Sequence, residues 1–380
     1  MDESPRVFLL DPTALLATRS AVYEGVERLQ AADERLLQEA DRALYTVPVS
    51  VVDKEQLPPS GDPHDYASQA PYWWSNPERV NGQLYERRDG EVNPDSAGGD
   101  RGQLGVLCSA LSSLAPAYFF SDLENFAEHA GLLLRTWFLD EATAMKPHLE
   151  YGRAIPGLYT GQAAGILDTH GFSWLVEMVG LLQASSAWNE DDQRGLQDWF
   201  AAYLDWLITS DYGQEEAAQN NHHGTWYDVQ VASLALFVGR DEVAEEIVAQ
   251  SFARRLAVQI EIDGRQPMEL ARTRSLDYCA MNLTAFFDLA DLACNVEVDL
   301  WSHEDGEGRS LRRAFYWFVG HALDQEWAFE QITPFAKAQL MPLLRRGALR
   351  FGDASCEQRI AGLEGVDAAA DRTNLLYPAK

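Results

Sequence analysis

The chain has 380 residues, and its hydrophobic content of 46% is enough to bury a sizeable core in one large domain or two ordinary ones. Its 59 acidic and 30 basic residues give a formal net charge of −29. A surface of this charge repels nucleic acid and anionic membranes, so neither is expected as a partner, and an anionic substrate would need a local cluster of arginines.

No targeting segment or metal-binding cysteine pattern is visible. The opening MDESPRVFLL lacks the charged-then-apolar order of a secretory signal, and no uninterrupted apolar run reaches the length of about 18 residues that suggests a membrane span. The chain as given is therefore expected to be soluble, and a periplasmic or secreted location would require a leader that was removed. Cys108, Cys279, Cys294 and Cys356 have no CxxC spacing and are expected to be buried free thiols.

The first part of the chain contains little regular patterning. VPVSVV at 47–52 is the only good short strand candidate. Residues 53–103 are rich in Pro, Gly, Asp and aromatic residues and form a segment too long to be a mere connector. Because long aromatic loops on a rigid scaffold usually shape a binding site, Tyr72, Trp73 and Trp74 could stack on sugar rings, although packing is favoured for at least one tryptophan.

Helical periodicity dominates after residue 100. Apolar residues follow the i, i+3, i+4, i+7 rule at 123–137, where Ser121 and Glu124 suggest a capping box. The same period recurs at 196–207, in WYDVQVASLALFVG and in SLDYCAMNLTAFFDLADLA. Successive amphipathic helices of this length imply antiparallel hairpins, and the sequence predicts a mainly α fold with a single domain over residues 1–380.

The densest cluster of functional side chains is QNNHHGTWYDVQ, in which Asn220, Asn221, His222 and His223 precede an amphipathic helix. A purely structural alternative is that Asn221 caps the helix and the histidines bind nearby carbonyls. Two adjacent histidines point in different directions, and the segment has no HExxH spacing, so no metal site is predicted.

A second cluster, DGRQPMELARTRSLDYCAMN, places Arg265, Arg272 and Arg274 ahead of Tyr278. A guanidinium near a phenol lowers the phenol's pKa, so Arg272 is expected to prepare Tyr278 to act as a base. The alternative is a solvated basic turn followed by a half-buried tyrosine.

A third segment, MKPHLEYGRAIPGLYTGQAAGILDTHG, has the composition of a groove wall. Lys146 and Arg153 would supply positive potential for a polyanion. An ordinary polar loop between helices explains the same residues equally well.

Five motifs resemble the alginate-lyase superfamily of polysaccharide lyases, in this order: SQAPYWWSNP, RRDGEVNPDS, LLLRTWFLDEATAMKPHLEYGRAIPG, NNHHGTWYDVQ and ELARTRSLDYCAMNL. The resemblance covers residues 60 to 335, to within a few positions, and is nearer to the branch that reads NHGTWYD. It implies an (α/α) toroid, an incomplete barrel of antiparallel helical hairpins. The central groove would bind a 4-linked uronic-acid polymer, such as alginate or glucuronan, and cleave it by β-elimination.

The resemblance also implies roles for individual residues. It places the family histidine on His223 and the carboxylate-neutralising amide on Asn221, or its position on His222, because this chain reads NNHHG. Arg272 would assist in neutralising the carboxylate, which makes the C5 proton removable, while Tyr278 and His223 supply the acid and the base. No metal or other cofactor is expected. The expected substrate-binding residues are Lys146, Glu150, Tyr151, Arg153, Gln162, Tyr72, Trp73, Trp226 and Arg274.

Two other classes of protein have to be weighed. A glycoside hydrolase on the same kind of toroid would need two carboxylates that flank the bond, and its candidates are Glu150, Asp168, Asp228 and Glu269. A non-catalytic polysaccharide-binding protein would keep the groove but would not need an acid and a base. The histidine and arginine–tyrosine clusters favour the lyase, and ultraviolet absorbance of an unsaturated uronate product would discriminate among the three.

Overall fold

The structure, a computed structural model, describes residues 4–76 and 84–378. The described residues form mainly α-helices, joined by short 3₁₀ and π segments. The helices are α1 Pro12–Tyr23, α2 Glu27–Ala43, α3 Gly99–Ser121, α4 Glu124–Leu134, α5 Phe172–Leu182, α6 Glu190–Thr209, α7 Asp211–Ala217, α8 His222–Val238, α9 Asp241–Ser251, α10 Ala257–Gln259, α11 Pro267–Leu270, α12 Ser275–Cys294, α13 Leu311–Leu323, α14 Leu340–Phe351, α15 Ser355–Ala361 and α16 Thr373–Leu376.

The helices form two layers. In the inner layer α3 packs on α5, α5 on α8 and α8 on α12, while α2, α4, α6, α9 and α13 lie against these helices from outside. Helices α8 and α12 are buried along most of their length, whereas α2 and α9 bury one face only. A helix that is apolar on all sides belongs in the interior, and an amphipathic one covers it. This arrangement is the (α/α) toroid that the resemblance implies.

Helix α3 is long and apolar enough to cross a membrane by length and composition alone, but 67% of its most apolar stretch is buried inside the protein. The helices α2, α4 and α5 pack against it. Such burial is typical of a core helix. The hydrophobic core extends from Val7 to Tyr377, so both ends of the described chain contribute to it; the single domain over 1–380 stays a prediction.

Strands are few among the described residues. Strand β1, Ala67–Gln69, pairs in parallel with β4, Tyr151–Ala154, and β2, Trp73–Ser75, pairs antiparallel with β3, Tyr85–Arg87.

Three local expectations are wrong. Residues 47–52 form no strand, because Ser50 caps a short 3₁₀ helix, Val51–Asp53, in a capping box with Asp53. Ser121 ends α3 instead of capping α4, and Glu124 accepts a hydrogen bond from Ser185. All four cysteines are free, as expected, but Cys294 is exposed and Cys108 only half-buried.

Candidate active site

A cleft opens where the inner helices begin. It consists of two adjoining cavities of about 480 and 500 Å³, which share Tyr72, His170, Arg274, Tyr278 and Met281. We call the first cavity the arginine side, because it is lined by Arg87, Arg101, Arg153, Arg272 and Arg274. The second is the tryptophan side, lined by Trp174 and Trp226. A separate cavity of about 450 Å³ between α1, α14 and Tyr377 contains none of the predicted site residues.

Four inner helices point their N-termini at this cleft. Arg101 lies in the first turn of α3, His170 just before α5, Asn221 at the N-cap of α8 and Arg274 at the N-cap of α12, and all four line the cleft. The first backbone N–H groups of a helix have no intrahelical acceptor, and the helix dipole places partial positive charge there. The cleft therefore favours anions independently of its arginines.

Asn221 has a structural role and still lines the cleft. Its side-chain oxygen accepts a hydrogen bond from the backbone N–H of His223 at 3.0 Å. Asn221 therefore caps α8, as the purely structural interpretation of this segment expected. A cap of this kind uses the carbonyl oxygen and leaves the amide N–H groups as donors. Gly224 follows because any Cβ at that position would collide with the Gln219 carbonyl and the Arg255 guanidinium.

A buried glutamate holds each of the two histidines at Nδ1. His222 is bound twice by Glu269, through its backbone N–H at 2.8 Å and through Nδ1 at 2.9 Å. His223 Nδ1 lies 2.5 Å from Oε1 of Glu216. The two histidines are thus hydrogen-bonded to carboxylates, whereas the purely structural interpretation of this segment expected carbonyl partners. Both glutamate side chains are 2% exposed, and both histidines line the cleft, which leaves Nε2 as the ring nitrogen for a substrate.

Burial keeps both imidazoles uncharged. It lowers the pKa of His223 to about 3, an effect that Arg153 reinforces, and it lowers the pKa of His222 despite the hydrogen bond to Glu269. Burial also raises the pKa of Glu216 to about 8, although Arg153 and His222 oppose this shift. The three rings are in contact but tilted: the His222 centroid lies 4.6 Å from that of His223, with an interplanar angle of 52°, and 4.9 Å from that of Tyr278, with an angle of 39°.

Arg272 and Tyr278 are in direct contact, as their spacing suggested. Arg272 Nη2 donates to the Tyr278 hydroxyl at 2.9 Å, and the guanidinium carbon is 3.9 Å from the ring centroid. The hydroxyls of Tyr278 and Tyr72 are also hydrogen-bonded. The expectation that the pKa of Tyr278 is lowered is nevertheless wrong. Burial raises the pKa of Tyr278, Tyr72 adds to this, and Arg272 offsets only part of it, so the phenol stays protonated.

Asp89, which the sequence reasoning missed, anchors Arg272. It accepts hydrogen bonds from Arg272 Nε at 3.0 Å and Nη2 at 2.7 Å. Although partial burial opposes the shift, hydrogen bonds from Arg272 and the Thr273 backbone lower the pKa of Asp89 to about 2. Gly90 has a φ of 74°, and a Cβ there would strike Thr273. The Asp-Gly pair within RRDGEV was the available signal for a tight turn.

The third segment contributes two of its five predicted residues. Arg153 and Gln162 line the cleft, and Arg153, at a left-handed φ of 50°, is held by Asp168 at 2.8 Å. Lys146, Glu150 and Tyr151 do not line it. Lys146 pairs with Asp62 at 2.6 Å, Glu150 accepts from Trp206 Nε1 at 2.8 Å, and Tyr151 lies in β4.

Of the aromatic residues considered for sugar binding, Tyr72, Trp73 and Trp226 line the cleft and Trp74 does not. Tyr72 and Trp73 line the arginine side, whereas Trp74 is packed, with Arg88 5.1 Å from its ring and Glu91 as acceptor of its Nε1–H. Trp226 is 4% exposed and stands edge-on to His170 at 5.0 Å. Arg87, Arg101, His170 and Trp174 were missed. Arg101 and Trp174 stand in ordinary helical sequence, while Arg87 lies in the motif RRDGEVNPDS and His170 in the third segment, where nothing marked either residue individually. The fold brings the four residues together.

Comparison with known proteins identifies the family. The profile of the family described as Alginate lyase matches residues 50–328. The chain belongs to this family. An alginate lyase from Bacteroides ovatus is 34% identical, with 99% of this chain and 100% of that one covered and a TM-score of 0.94. No significant match was found among curated proteins.

More distant alginate lyases share the fold. Alginate lyase A1-III from Sphingomonas species A1 is 16% identical over 98% of each chain, with a TM-score of 0.60. A histidine-to-alanine variant of alginate lyase A1-III complexed with a tetrasaccharide is 15% identical, with 99% of this chain and 98% of that one covered and a TM-score of 0.61.

The protein is therefore an enzyme, a polysaccharide lyase, and the two rival classes fall away. The four carboxylates considered as candidates for the two that a hydrolase would need already have partners. Asp168 is paired with Arg153, Asp228 with Arg255, Glu269 with His222 and Glu150 with Trp206.

Proposed function

We propose that this lyase cleaves a 4-linked polyuronate, alginate or a related uronan such as glucuronan, by β-elimination in the cleft. The observation that carries the proposal is the meeting of Asn221, two glutamate-held histidines and the Arg272–Tyr278 pair on one cavity. The similarity to an alginate lyase from Bacteroides ovatus and to an alginate lyase complexed with a tetrasaccharide supports the choice of polymer.

The first requirement of the reaction is to neutralise the uronate carboxylate, because only then does the C5 proton become acidic enough to remove. Asn221 offers its amide N–H groups, since its oxygen is used in the helix cap. The described contacts of Arg272 with Asp89 and Tyr278 use Nε and Nη2 and leave Nη1 for the substrate. His222 is a weaker candidate than Asn221, because it is 1% exposed and bound twice to Glu269.

Two proton transfers complete the reaction. His223, uncharged at neutral pH, takes the C5 proton, and the electron pair of that bond forms the C4–C5 double bond as the C4–O4 bond breaks. Tyr278, whose raised pKa keeps it protonated, gives its proton to the departing O4. Arg272, at 2.9 Å, stabilises the phenolate that forms.

The two sides of the cleft would hold the polymer differently. The arginine side suits uronate carboxylates, and bidentate guanidinium contacts favour planar carboxylates in particular. Trp174 and Trp226 provide apolar surface against which the face of a sugar ring can pack. Substrate residues on both sides of the cleavage point would then contribute to binding, while Tyr278 lies where the two cavities meet.

The test is incubation of the purified protein with polymannuronate, polyguluronate, glucuronan and a neutral polysaccharide as control. Ultraviolet absorbance of the unsaturated product and the size of the products are followed together. We expect absorbance to rise with at least one polyuronate and not with the neutral polymer. New reducing ends without absorbance would indicate hydrolysis and contradict the proposal.

A further inference from the structure

Glu216 is a buried acid beside the proposed base. It belongs to α7, which packs on α8 and on the 3₁₀ helix Ala163–Thr169. Its side chain is 2% exposed, and its Oε1 lies 2.5 Å from Nδ1 of His223, whose side chain is 17% exposed. A molecule in the cleft can therefore reach Glu216 only through the imidazole.

The surroundings make it difficult for His223 to become a cation. The charged and titratable groups that face the pair are Arg153, Asp168, His222, Arg255, Glu269 and Arg272. Burial, with Arg153, lowers the pKa of His223 to about 3. An isolated imidazole with so low a pKa would be a poor base for a carbon acid, because the driving force for proton transfer falls with the pKa of the base.

Glu216 offers a way around this difficulty. A carboxylate that is removed from water is itself a better proton acceptor than usual, and burial raises the pKa of Glu216 to about 8. If a proton arrives at one ring nitrogen and another leaves from the opposite one, the imidazole remains neutral throughout.

We propose that Glu216 and His223 act as one proton-transferring unit, in which the Nδ1 proton moves to Oε1 of Glu216 when Nε2 accepts the C5 proton. This inference rests on the proposed β-elimination. The C5–H and Nδ1–H bonds break, the Nε2–H and Oε1–H bonds form, and the C5 electron pair goes into the new double bond. Glu216 does not touch the substrate and is a positioning residue that acts through His223.

A distinct pH dependence follows. The form of the pair that can act as a base has an ionised Glu216, a proton on Nδ1 of His223 and a free Nε2. Because strongly coupled groups titrate as a pair, Glu216 and His223 should show a shared transition. The acidic limb of kcat/KM should lie close to 8, the value to which burial raises the pKa of Glu216, and not near the value of about 6.5 of an ordinary histidine. Activity rises as the pH increases through that limb, because the deprotonated form is the base.

The variant Glu216→Gln tests this inference. Its side-chain oxygen can still accept the Nδ1–H bond, so the ring keeps its orientation, but it cannot take up the proton. We expect the acidic limb to move down by at least about one pH unit and kcat to fall about ten- to hundredfold, with little change in KM. Glu215→Gln is the matched control, because Glu215 is exposed on the same helix and loses the same charge. An unchanged limb and kcat in Glu216→Gln would overturn the inference.

A second measurement requires no change at position 216. In wild-type protein with ¹⁵N-labelled histidine, both ring nitrogens of His223, assigned by their loss in His223→Ala, should shift together in one transition near the limb. A separate transition near about 6.5 would refute the pairing. If wild-type protein forms no unsaturated product, the proposed function fails; if it does and Glu216→Gln behaves as wild type, only this inference fails.

Discussion

Replacing Tyr278 by phenylalanine separates chemistry from folding. The change removes one hydroxyl, which accepts a hydrogen bond from Arg272 at 2.9 Å and contacts Tyr72. Arg272 keeps its ion pair with Asp89 at 2.7 Å, so no buried charge becomes unpaired. The free energy of unfolding should therefore fall by only about 2 kcal/mol, because two hydrogen bonds are lost and each usually contributes about 1 kcal/mol net.

The effect on turnover should be much larger. Without the hydroxyl, O4 would leave as an unprotonated alkoxide, and a lost general acid usually costs about 10²- to 10⁴-fold in rate. Such a loss corresponds to about 3–5 kcal/mol of transition-state stabilisation. Misfolding would not account for it, because the expected loss of stability is small compared with the roughly 5–15 kcal/mol by which folded proteins are usually stable. The assay is the initial rate of unsaturated-uronate absorbance, measured beside a thermal unfolding curve.

Tyr227→Phe is the matched control for this prediction. The Tyr227 hydroxyl is buried and donates to the Leu207 carbonyl at 3.0 Å, but Tyr227 does not line the cleft. This variant should lose similar stability and keep its turnover. If Tyr278→Phe retained turnover within about threefold of wild type, or if both variants lost turnover equally, Tyr278 would not be the acid.

Arg272→Ala should lower kcat/KM about hundredfold, because the Tyr278 hydroxyl and Asp89 both lose a cationic partner. Arg265→Ala breaks only an exposed pair with Asp263 and should leave kcat and KM unchanged. Equal effects of the two variants would mean that these arginines act only by general electrostatic attraction of the substrate. His223→Ala should lower kcat about hundredfold or more, as for a lost base. His222→Ala should lower kcat less, and an equal loss would contradict the assignment of the base to His223. Turnover should persist in excess chelator, because the proposed site neutralises the carboxylate with side chains; a loss of turnover restored by a defined divalent ion would disprove this.

The helical part of the fold was predictable because its signal is local. The periodic segments at 196–207 and in SLDYCAMNLTAFFDLADLA correspond to α6 and α12. Apolar residues that recur with a period of 3.6 form one face of a helix, and this period can be recognised within a single short segment. The strand at 47–52 failed because alternation alone does not provide a partner strand, and the Ser50–Asp53 capping box competes locally.

From the residues alone, the contacts of the site were predictable only where the residues are close in sequence, and the family resemblance supplied the expectation that His223 and Tyr278 share one groove. Arg272 and Tyr278 are six positions apart, and their contact followed from that spacing. Glu269 and Asp89 lie 47 and 183 positions from the side chains they hold, so no pattern in the chain joins them. The pKa of Tyr278 was misjudged for a related reason, because burial and the Tyr72 hydroxyl come from distant segments and outweigh the local arginine.

The charge of the cleft leads to a last prediction, on salt. Although arginines line one side, several are already paired with acids: Arg87 with Asp89 at 2.9 Å, Arg153 with Asp168 at 2.8 Å, and Arg274 with Asp277 at 3.0 Å. Attraction for a polyanion is therefore short-range and directional, while the net charge of −29 repels it over longer distances. Salt at about 0.1 M shortens the Debye length to about 10 Å and weakens the repulsion first. We expect KM for a polyuronate to fall as salt is added from very low concentration, and then to rise only gradually. A steep rise in KM from the lowest salt onward would mean that unpaired cations dominate binding and would refute this account.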